Sequence, residues 1–249
     1  MPPARRRWLL EVTGLRAVPW GALALLVRPA YIAAEFVVAA ATKGGYSFVS
    51  DSVSRLGEID CSAAYCSPRH AMMNGSFISF GALLVLGAVL LSRTLGPWVT
   101  GLLLVSGLSS VATGLAPLDQ NATWHAIAAA PLFVAQPVAL IILGSRLRNS
   151  GPRLAGALLV AGVVTGTAAL SFVLSGGGPA SGALERLALW PVLVALAGFG
   201  LTRLHPDRRS QVGHREVTAQ PGPPDSSLDQ TAEATNARHA RSRRGDRWK

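Results

Sequence analysis

The chain has 249 residues, of which half are hydrophobic and only 14% are charged. Soluble domains carry about a quarter charged residues, so this composition excludes an ordinary soluble protein and favours one embedded in lipid. The net charge of +10 would suit nucleic acid, but the arginines gather at both ends of the chain without a binding motif. We therefore expect no nucleic-acid partner and assign the basic ends to the cytoplasmic face of a membrane.

The N-terminus combines Arg5, Arg6 and Arg7 with a following apolar stretch, as a signal peptide does. The later apolar run is too long for a signal peptide, and no small-residue cleavage site follows it. We expect residues 1–17 to be a retained cytoplasmic, interfacial segment.

Six apolar stretches are long enough to cross a bilayer, which takes about 20 helical residues. They cover residues 18–41, 75–92, 96–117, 124–145, 154–175 and 184–203. The sequence thus predicts an all-α fold, an integral membrane bundle of about six transmembrane helices over residues 18–203. Recurring glycines favour close helix packing and leave self-association through such faces open: Gly107, Gly114, Gly156, Gly162 and Gly166.

Charge predicts the orientation of this bundle in the cell membrane. The connections at 93–95 and 146–153 carry arginine and no acid, whereas those at 42–74, 118–123 and 176–183 hold all the loop acids. Because positive loops stay in the cytoplasm, we expect cytoplasmic termini and a long extracytoplasmic first loop. Residues 204–249 are polar and rich in proline, which predicts a disordered basic cytoplasmic tail.

The first span contains two charges on one face, Arg28 and Glu35. Arg28 falls near mid-bilayer, where a cation either snorkels to the interface or pairs with an acid of another helix. The remaining alternative is a first span that is shifted, or broken at Pro29.

Both cysteines of the chain, Cys61 and Cys66, lie in the first loop. On the oxidising side of a membrane a disulfide between them would persist and pin a turn. A redox pair is the alternative, but redox cysteines are more often separated by two residues. We favour the structural disulfide.

Polar residues gather at the outer ends of the predicted helices. In the first loop the run DSVSRLGE predicts a short helix, capped by its serines and Asp51, with Val53 and Leu56 on the apolar side. Ionisable groups at membrane depth usually face a bundle interior or a watery cavity, so the cluster predicts an outward-facing polar cavity. The candidate catalytic residues are Asp51, Asp119, His125 and Arg186, and the candidate ligand-binding residues are Ser54, His70, Asn74 and Glu185. The alternative is a set of hydrogen bonds that tie loops to helix ends.

Asp119 and His125 form a candidate acid–base pair, because a carboxylate beside an imidazole fixes its tautomer and raises its basicity. Asp51 and His70 would complete a zinc-like set, but HExxH and paired histidines at helical spacing are absent. We expect neither a metal nor another cofactor. A serine nucleophile lacks the GxSxG motif.

Four runs resemble, in order, the bacterial membrane proteins grouped as domain of unknown function 998: GGYSFVSDSVSRLGE, CSPRHAMMNGSFISFGALLVLG, GLAPLDQNATWHAIAAAP and ERLALWPVLVALAGFGL. The resemblance covers about residues 18–203 and implies a six-helix membrane fold without a settled activity. It places the element Asp-x-x-Ser-x-Leu-Gly at Asp51, Ser54, Leu56 and Gly57, and further family positions at Asn74, Pro117, His125 and Arg186.

These observations together predict an integral membrane protein whose outer cavity binds, or acts on, a membrane lipid or hydrophobic small molecule. A non-enzymatic scaffold or transport component is the alternative, and a redox role comes third. Whether the protein is an enzyme stays open.

Overall fold

A computed structural model describes residues 18–204, so the predicted N-terminal segment and the predicted tail beyond Leu204 lie outside the described residues. Six helices are long and apolar enough to cross a membrane: α1 Val18–Ala39, α2 His70–Leu90, α3 Pro97–Leu115, α4 Ala122–Leu147, α5 Pro152–Ser175 and α6 Ser181–Leu204. A helical turn, Ser92–Leu95, and a 3-10 helix, Val53–Gly57, occur between them. Within residues 18–204 there is no strand, and the predicted six-helix membrane bundle is confirmed.

Helix α1 is interrupted at residues 27–29 and resumes at Ala30. Pro29 lacks the N–H that would continue the helix, and its ring clashes with the preceding turn. Arg28 lies in this interruption and is 3% exposed, with Nε donating to the Phe80 carbonyl of α2 at 3.2 Å. It therefore neither snorkels nor forms an ion pair with a described acid. Of the three expectations for this span, the break at Pro29 is the confirmed one.

Glycine lets neighbouring helices approach closely. A Cβ on Gly81 of α2 would lie 2.7 Å from the Gly107 carbonyl oxygen of α3, and a Cβ on Gly107 would lie 2.8 Å from that of Gly81. Gly162 of α5 meets the Pro137 carbonyl of α4 in the same way. Gly156 faces open space, so the prediction of close packing is wrong at that glycine.

Of the three hydrophobic clusters within residues 18–204, two account for most of the buried core. The larger one joins all six helices through buried residues such as Leu25, Leu84, Leu103, Leu140, Leu158 and Phe199. The smaller one contains Val53 and Leu56 of the 3-10 helix, both fully buried, together with Tyr31, Met73, Phe77 and Leu193. The first loop, residues 40–69, is therefore inserted into one end of the bundle. We call this the first-loop end and the opposite one, with Arg93, Arg146, Arg148 and Arg153, the arginine-rich end.

Three contacts within the first loop stabilise its conformation. Cys61 and Cys66 form a disulfide, which confirms the predicted bond, and Lys43 pairs with Cys66 in an isolated backbone bridge. Ser52 caps the 3-10 helix by accepting a hydrogen bond from the Arg55 backbone N–H, as the capping prediction required. These contacts all lie within the first loop itself.

Helix α2 begins at His70, five residues before the predicted span. The prediction started at the continuous apolar run, whereas the helix also includes the polar residues His70 and Asn74 at the end of the bundle. His70 and Asn74 thus lie on α2, not on the loop that precedes it.

Candidate functional site

Arg186 of α6 and Glu35 of α1 form a buried ion pair at the first-loop end. The Arg186 Nε donates to Glu35 Oε1 at 2.7 Å, and the two side chains are 5% and 0% exposed. The Trp190 indole N–H donates to the other carboxylate oxygen at 2.9 Å. Both charges are therefore compensated inside the bundle, as buried ions require.

The other donors of Arg186 hold the first loop. Its Nη1 donates to the carbonyls of Phe48 at 2.7 Å and Asp51 at 3.0 Å, and its Nη2 donates to Tyr46 Oη at 2.5 Å. At Gly182 a Cβ would lie 2.2 Å from the Asp51 carbonyl oxygen, so only glycine lets α6 come this close. The geometry gives Arg186, a predicted catalytic residue, the task of positioning the loop.

Two predicted ligand-binding residues of α2 also contact the loop backbone. The Asn74 Nδ2 donates to the Gly57 carbonyl at 2.8 Å, at the end of the 3-10 helix. The His70 Nδ1 lies 3.0 Å from the Ser67 carbonyl. These contacts are the loop-to-helix hydrogen bonds that the sequence left open as the alternative.

Asp119, in the connection between α3 and α4, binds the loop on another side. Its Oδ2 accepts from the backbone N–H groups of Ile59 at 2.8 Å and Asp60 at 2.7 Å. The predicted acid–base pair with His125 is wrong, because both ring nitrogens of His125 bind other groups. The Asp119 carboxylate accepts hydrogen bonds from two adjacent backbone N–H groups of the loop and does not contact the imidazole. The sequence gives no sign of this contact.

His125, Ser54 and Glu185 form a buried hydrogen-bonded chain. The His125 Nε2 lies 2.9 Å from the Ser54 Oγ, which lies 3.2 Å from Glu185 Oε1. The second carboxylate oxygen of Glu185 accepts from the Val53 backbone N–H at 2.6 Å. Three elements, α4, α6 and the 3-10 helix, thus meet at one serine hydroxyl.

The tautomer of a neutral His125 ring follows from its contacts. Its Nδ1 lies 2.6 Å from the Ala116 carbonyl oxygen, which can only accept, so Nδ1 carries the proton. In the neutral imidazole the lone pair then resides on Nε2 and faces the Ser54 hydroxyl. That hydroxyl has one proton and two possible acceptors, of which the imidazole is the nearer. A serine with a base oriented in this way is the arrangement of an activated nucleophile.

A cavity of about 590 Å³ lies beside this chain, between the 3-10 helix and helices α4, α5 and α6. Of the eight predicted site residues it is lined by four: Asp51, Ser54, His125 and Glu185. The other four are absent from its walls and make the loop contacts described above: His70, Asn74, Asp119 and Arg186. The rest of the wall is mainly apolar: Leu118, Ala122, Ala126, Ala129, Ala130, Phe133, Phe172 and Val173.

Arg55 is a lining residue that the sequence analysis missed. Its Nη1 lies 2.5 Å from Asp51 Oδ1, four residues back, and its guanidinium lies 4.0 Å above the Tyr65 ring. Burial raises the pKa of Tyr65 to about 12, with Glu58 adding to the rise, so the phenol keeps its proton. It donates to the Arg55 carbonyl at 3.1 Å. The spacing of four residues between Asp51 and Arg55 could have predicted this ion pair from the sequence.

Within residues 18–204 no three His, Cys, Asp or Glu side chains are grouped so as to hold a metal ion. The side chains that line the cavity offer carboxylates, an imidazole, a guanidinium and hydroxyls.

Comparison with models of known protein families matches residues 10–202 to the family described as Protein of unknown function (DUF998). The chain belongs to this family. The matched segment contains the first loop and nearly all of the six helices of the DUF998 bundle, and it agrees with the resemblance noted in the sequence. No curated protein and no solved structure matches the chain.

Proposed function

We propose that this DUF998 protein binds a lipid or hydrophobic small molecule in the cavity beside His125. The observation that carries the proposal is the division of the cavity wall into a polar end and a long apolar side. A volume of about 590 Å³ lies within the range of roughly 300–1,000 Å³ that is usual for small-molecule sites.

The apolar lining of the cavity supports a ligand with a hydrocarbon chain. Small side chains on consecutive turns of α4, at Ala122, Ala126 and Ala129, leave room along the helix. Phe133 of α4 and Phe172 of α5, with ring centroids 5.6 Å apart, line its far end. A chain lying there would place a polar headgroup beside Ser54 and His125.

The proposal includes an orientation. The four arginines of the arginine-rich end favour the cytoplasm under the positive-inside rule, which puts the first-loop end and its cavity on the outer face of the cell membrane. A ligand would then enter from the outer leaflet or from outside the cell.

A transport component is the second candidate. The interruption of α1 beside the buried Arg28 supports it, since transporters often bind their substrates at broken helices. Transporters of that kind usually break two helices in matching positions. Among residues 18–204 the other five spanning helices are continuous, so we place this candidate second.

Ligand retention tests the binding proposal. We would purify the full chain gently and compare wild type, Ala129→Trp and Val134→Trp by native mass spectrometry. Ala129 lines the cavity, whereas Val134 is 66% exposed on the same helix. We expect one specific molecule in wild type and Val134→Trp, and its loss from Ala129→Trp. Identical bulk lipid in all three proteins would reject the cavity as a ligand site.

A further inference from the structure

Two properties separate the contact between Ser54 and His125 from the other loop contacts. The bonds made by Asn74, His70 and Asp119 use backbone groups of the loop and lie off the cavity. The serine hydroxyl and the imidazole bond each other through side chains, and both line the cavity. A ligand in the cavity would therefore lie against both residues of the pair.

The imidazole is also held in the tautomer that a base needs. The Ala116 carbonyl fixes the proton on Nδ1 and leaves Nε2 free to accept from Ser54 at 2.9 Å. A backbone carbonyl here takes the place that a carboxylate has in a Ser-His-Asp triad, where it orients the ring. Glu185 Oε1, 3.2 Å from Ser54 Oγ, is the competing acceptor of the same proton, so the base role of His125 requires the hydroxyl to turn from Glu185 to the imidazole.

The charges around the polar end restrict the ligand. The lining carries two carboxyl groups, Asp51 and Glu185, against one guanidinium, Arg55, which Asp51 already binds. An anionic phosphate would lie beside carboxylates, with no free cation to neutralise its charge. This unmatched charge would weaken the binding of anionic ligands relative to uncharged ones. An uncharged ester presents a carbonyl carbon to the serine and brings no charge.

We propose that Ser54 and His125 are a nucleophile and general base that hydrolyse an uncharged ester amphiphile held in this cavity. The inference rests on the proposed function, since the ester must first bind there. The Ser54 Oγ bonds to the carbonyl carbon while His125 Nε2 takes the hydroxyl proton. The bond from that carbon to the alcohol oxygen breaks, and Nε2 returns the proton to the leaving alcohol.

Water completes the cycle. Its oxygen bonds to the acyl carbon as its proton goes to Nε2, the bond to Ser54 Oγ breaks, and Nε2 returns that proton to the serine. The net change is ester plus water to carboxylic acid plus alcohol, with no oxidation or reduction.

Covalent labelling tests the pair. We would incubate the purified full chain with an uncharged long-chain alkyl fluorophosphonate and follow the intact mass, with peptide mapping of the adduct. We expect one adduct at Ser54, none in Ser54→Ala, and labelling about 10²–10⁴-fold slower in His125→Gln, the usual contribution of a general base. Ser62→Ala is the matched control, because Ser62 lies in the same loop but outside the cavity wall, and it should label like wild type. An unlabelled wild type, or equal rates in wild type and His125→Gln, would overturn the inference.

A second variant tests the base role of His125 even if Ser54→Ala does not fold. The two native cysteines are joined in the disulfide, so Ser54→Cys introduces one free thiol. If His125 acts as a base, iodoacetamide alkylates this thiol at a lower pH than in Ser54→Cys/His125→Gln, where the profile should centre near the ordinary thiol pKa of about 8.5. Coincident pH profiles would contradict the base role.

The outcomes separate this inference from the binding proposal. If wild type and Ser54→Ala both retain the specific molecule, and Ala129→Trp loses it, the binding site stands whatever the labelling shows. If Ser54 is then unreactive, only the proposal of ester hydrolysis is rejected. If no protein retains a specific molecule, the binding proposal fails by itself.

Discussion

Two arginines within the membrane-spanning helices have opposite surroundings. Arg186 bonds a carboxylate, backbone carbonyls and a phenol, whereas Arg28 bonds one carbonyl at Phe80 and its Nη1 has no partner in the part of the chain described. Taking a cation out of water costs several kcal/mol unless charges and hydrogen bonds replace the lost hydration. The same substitution should therefore have opposite effects on stability at these two positions.

Replacing Arg186 with methionine should lower the free energy of unfolding by about 3–5 kcal/mol, because it leaves Glu35 buried without its cation. The measurement is chemical unfolding in detergent micelles, followed by tryptophan fluorescence. Glu35→Gln/Arg186→Met is the control, since it removes both charges, and it should recover part of the loss. A double variant as unstable as the single one would argue against a pairwise interaction.

Replacing Arg28 with methionine should leave the free energy of unfolding unchanged or raise it by about 1–4 kcal/mol, as replacement of buried ions by apolar residues often does. Methionine fills a similar volume, and only the bond to the Phe80 carbonyl is lost. The same unfolding assay, with Arg186→Met as the opposite case, measures the difference. A clear loss of stability in Arg28→Met would show that the guanidinium is compensated by something other than the described protein groups.

At the scale of elements, the insertion of the first loop into the bundle depends on close backbone approach. Helix α6 lies so near the loop that its Ala183 N–H donates to the Val49 carbonyl at 2.9 Å, and Ser181 Oγ donates to the Ser50 carbonyl at 2.8 Å. The disulfide and the ion pair of Arg186 then hold a loop whose own apolar residues, Val53 and Leu56, are buried. The cavity has residues of this loop on one side and Phe172 and Val173 of α5 on another.

Gly182→Ala should loosen this junction. The new Cβ would lie 2.2 Å from the Asp51 carbonyl oxygen, so loop or helix must shift, at a cost of about 1–3 kcal/mol as for other overpacked sites. Gly198→Ala on the same helix has nothing within 4 Å of its Cβ and should be neutral or slightly stabilising. Thermal unfolding of both variants measures this, and equal midpoints would contradict the close approach.

The elements themselves follow from the sequence far better than the contacts between them. Hydropathy places all six spans to within a few residues, because the length of a span is set by the membrane. The hydrogen bond of Ser54 to His125 joins residues 71 apart, and the ion pair of Glu35 to Arg186 joins residues 151 apart. No local spacing encodes such contacts, which depend on how the helices pack. The polar residues were grouped by their depth in the membrane, and this grouping predicted the correct end of the bundle for the cavity. It also predicted the wrong partner for Asp119.

At the scale of the whole molecule, the two ends of the bundle differ in charge and in structure. The arginine-rich end has short connections, and Arg146 Nη1 donates there to the Leu95 carbonyl. The first-loop end holds the disulfide, the cavity and the acidic residues of the described part of the chain. Disulfides persist outside the reducing cytoplasm, so the disulfide and the positive-inside rule independently favour the same orientation.

This orientation is tested by thiol labelling in intact cells. Ala180→Cys introduces an exposed thiol at the first-loop end, and Ser150→Cys introduces one at the arginine-rich end. A membrane-impermeant maleimide should label Ala180→Cys in intact cells and Ser150→Cys only after permeabilisation. Wild type, with both cysteines in the disulfide, is the unlabelled control. The reverse pattern would place the cavity on the cytoplasmic side, where the disulfide would be reduced, and any ligand would then have to come from the inner leaflet.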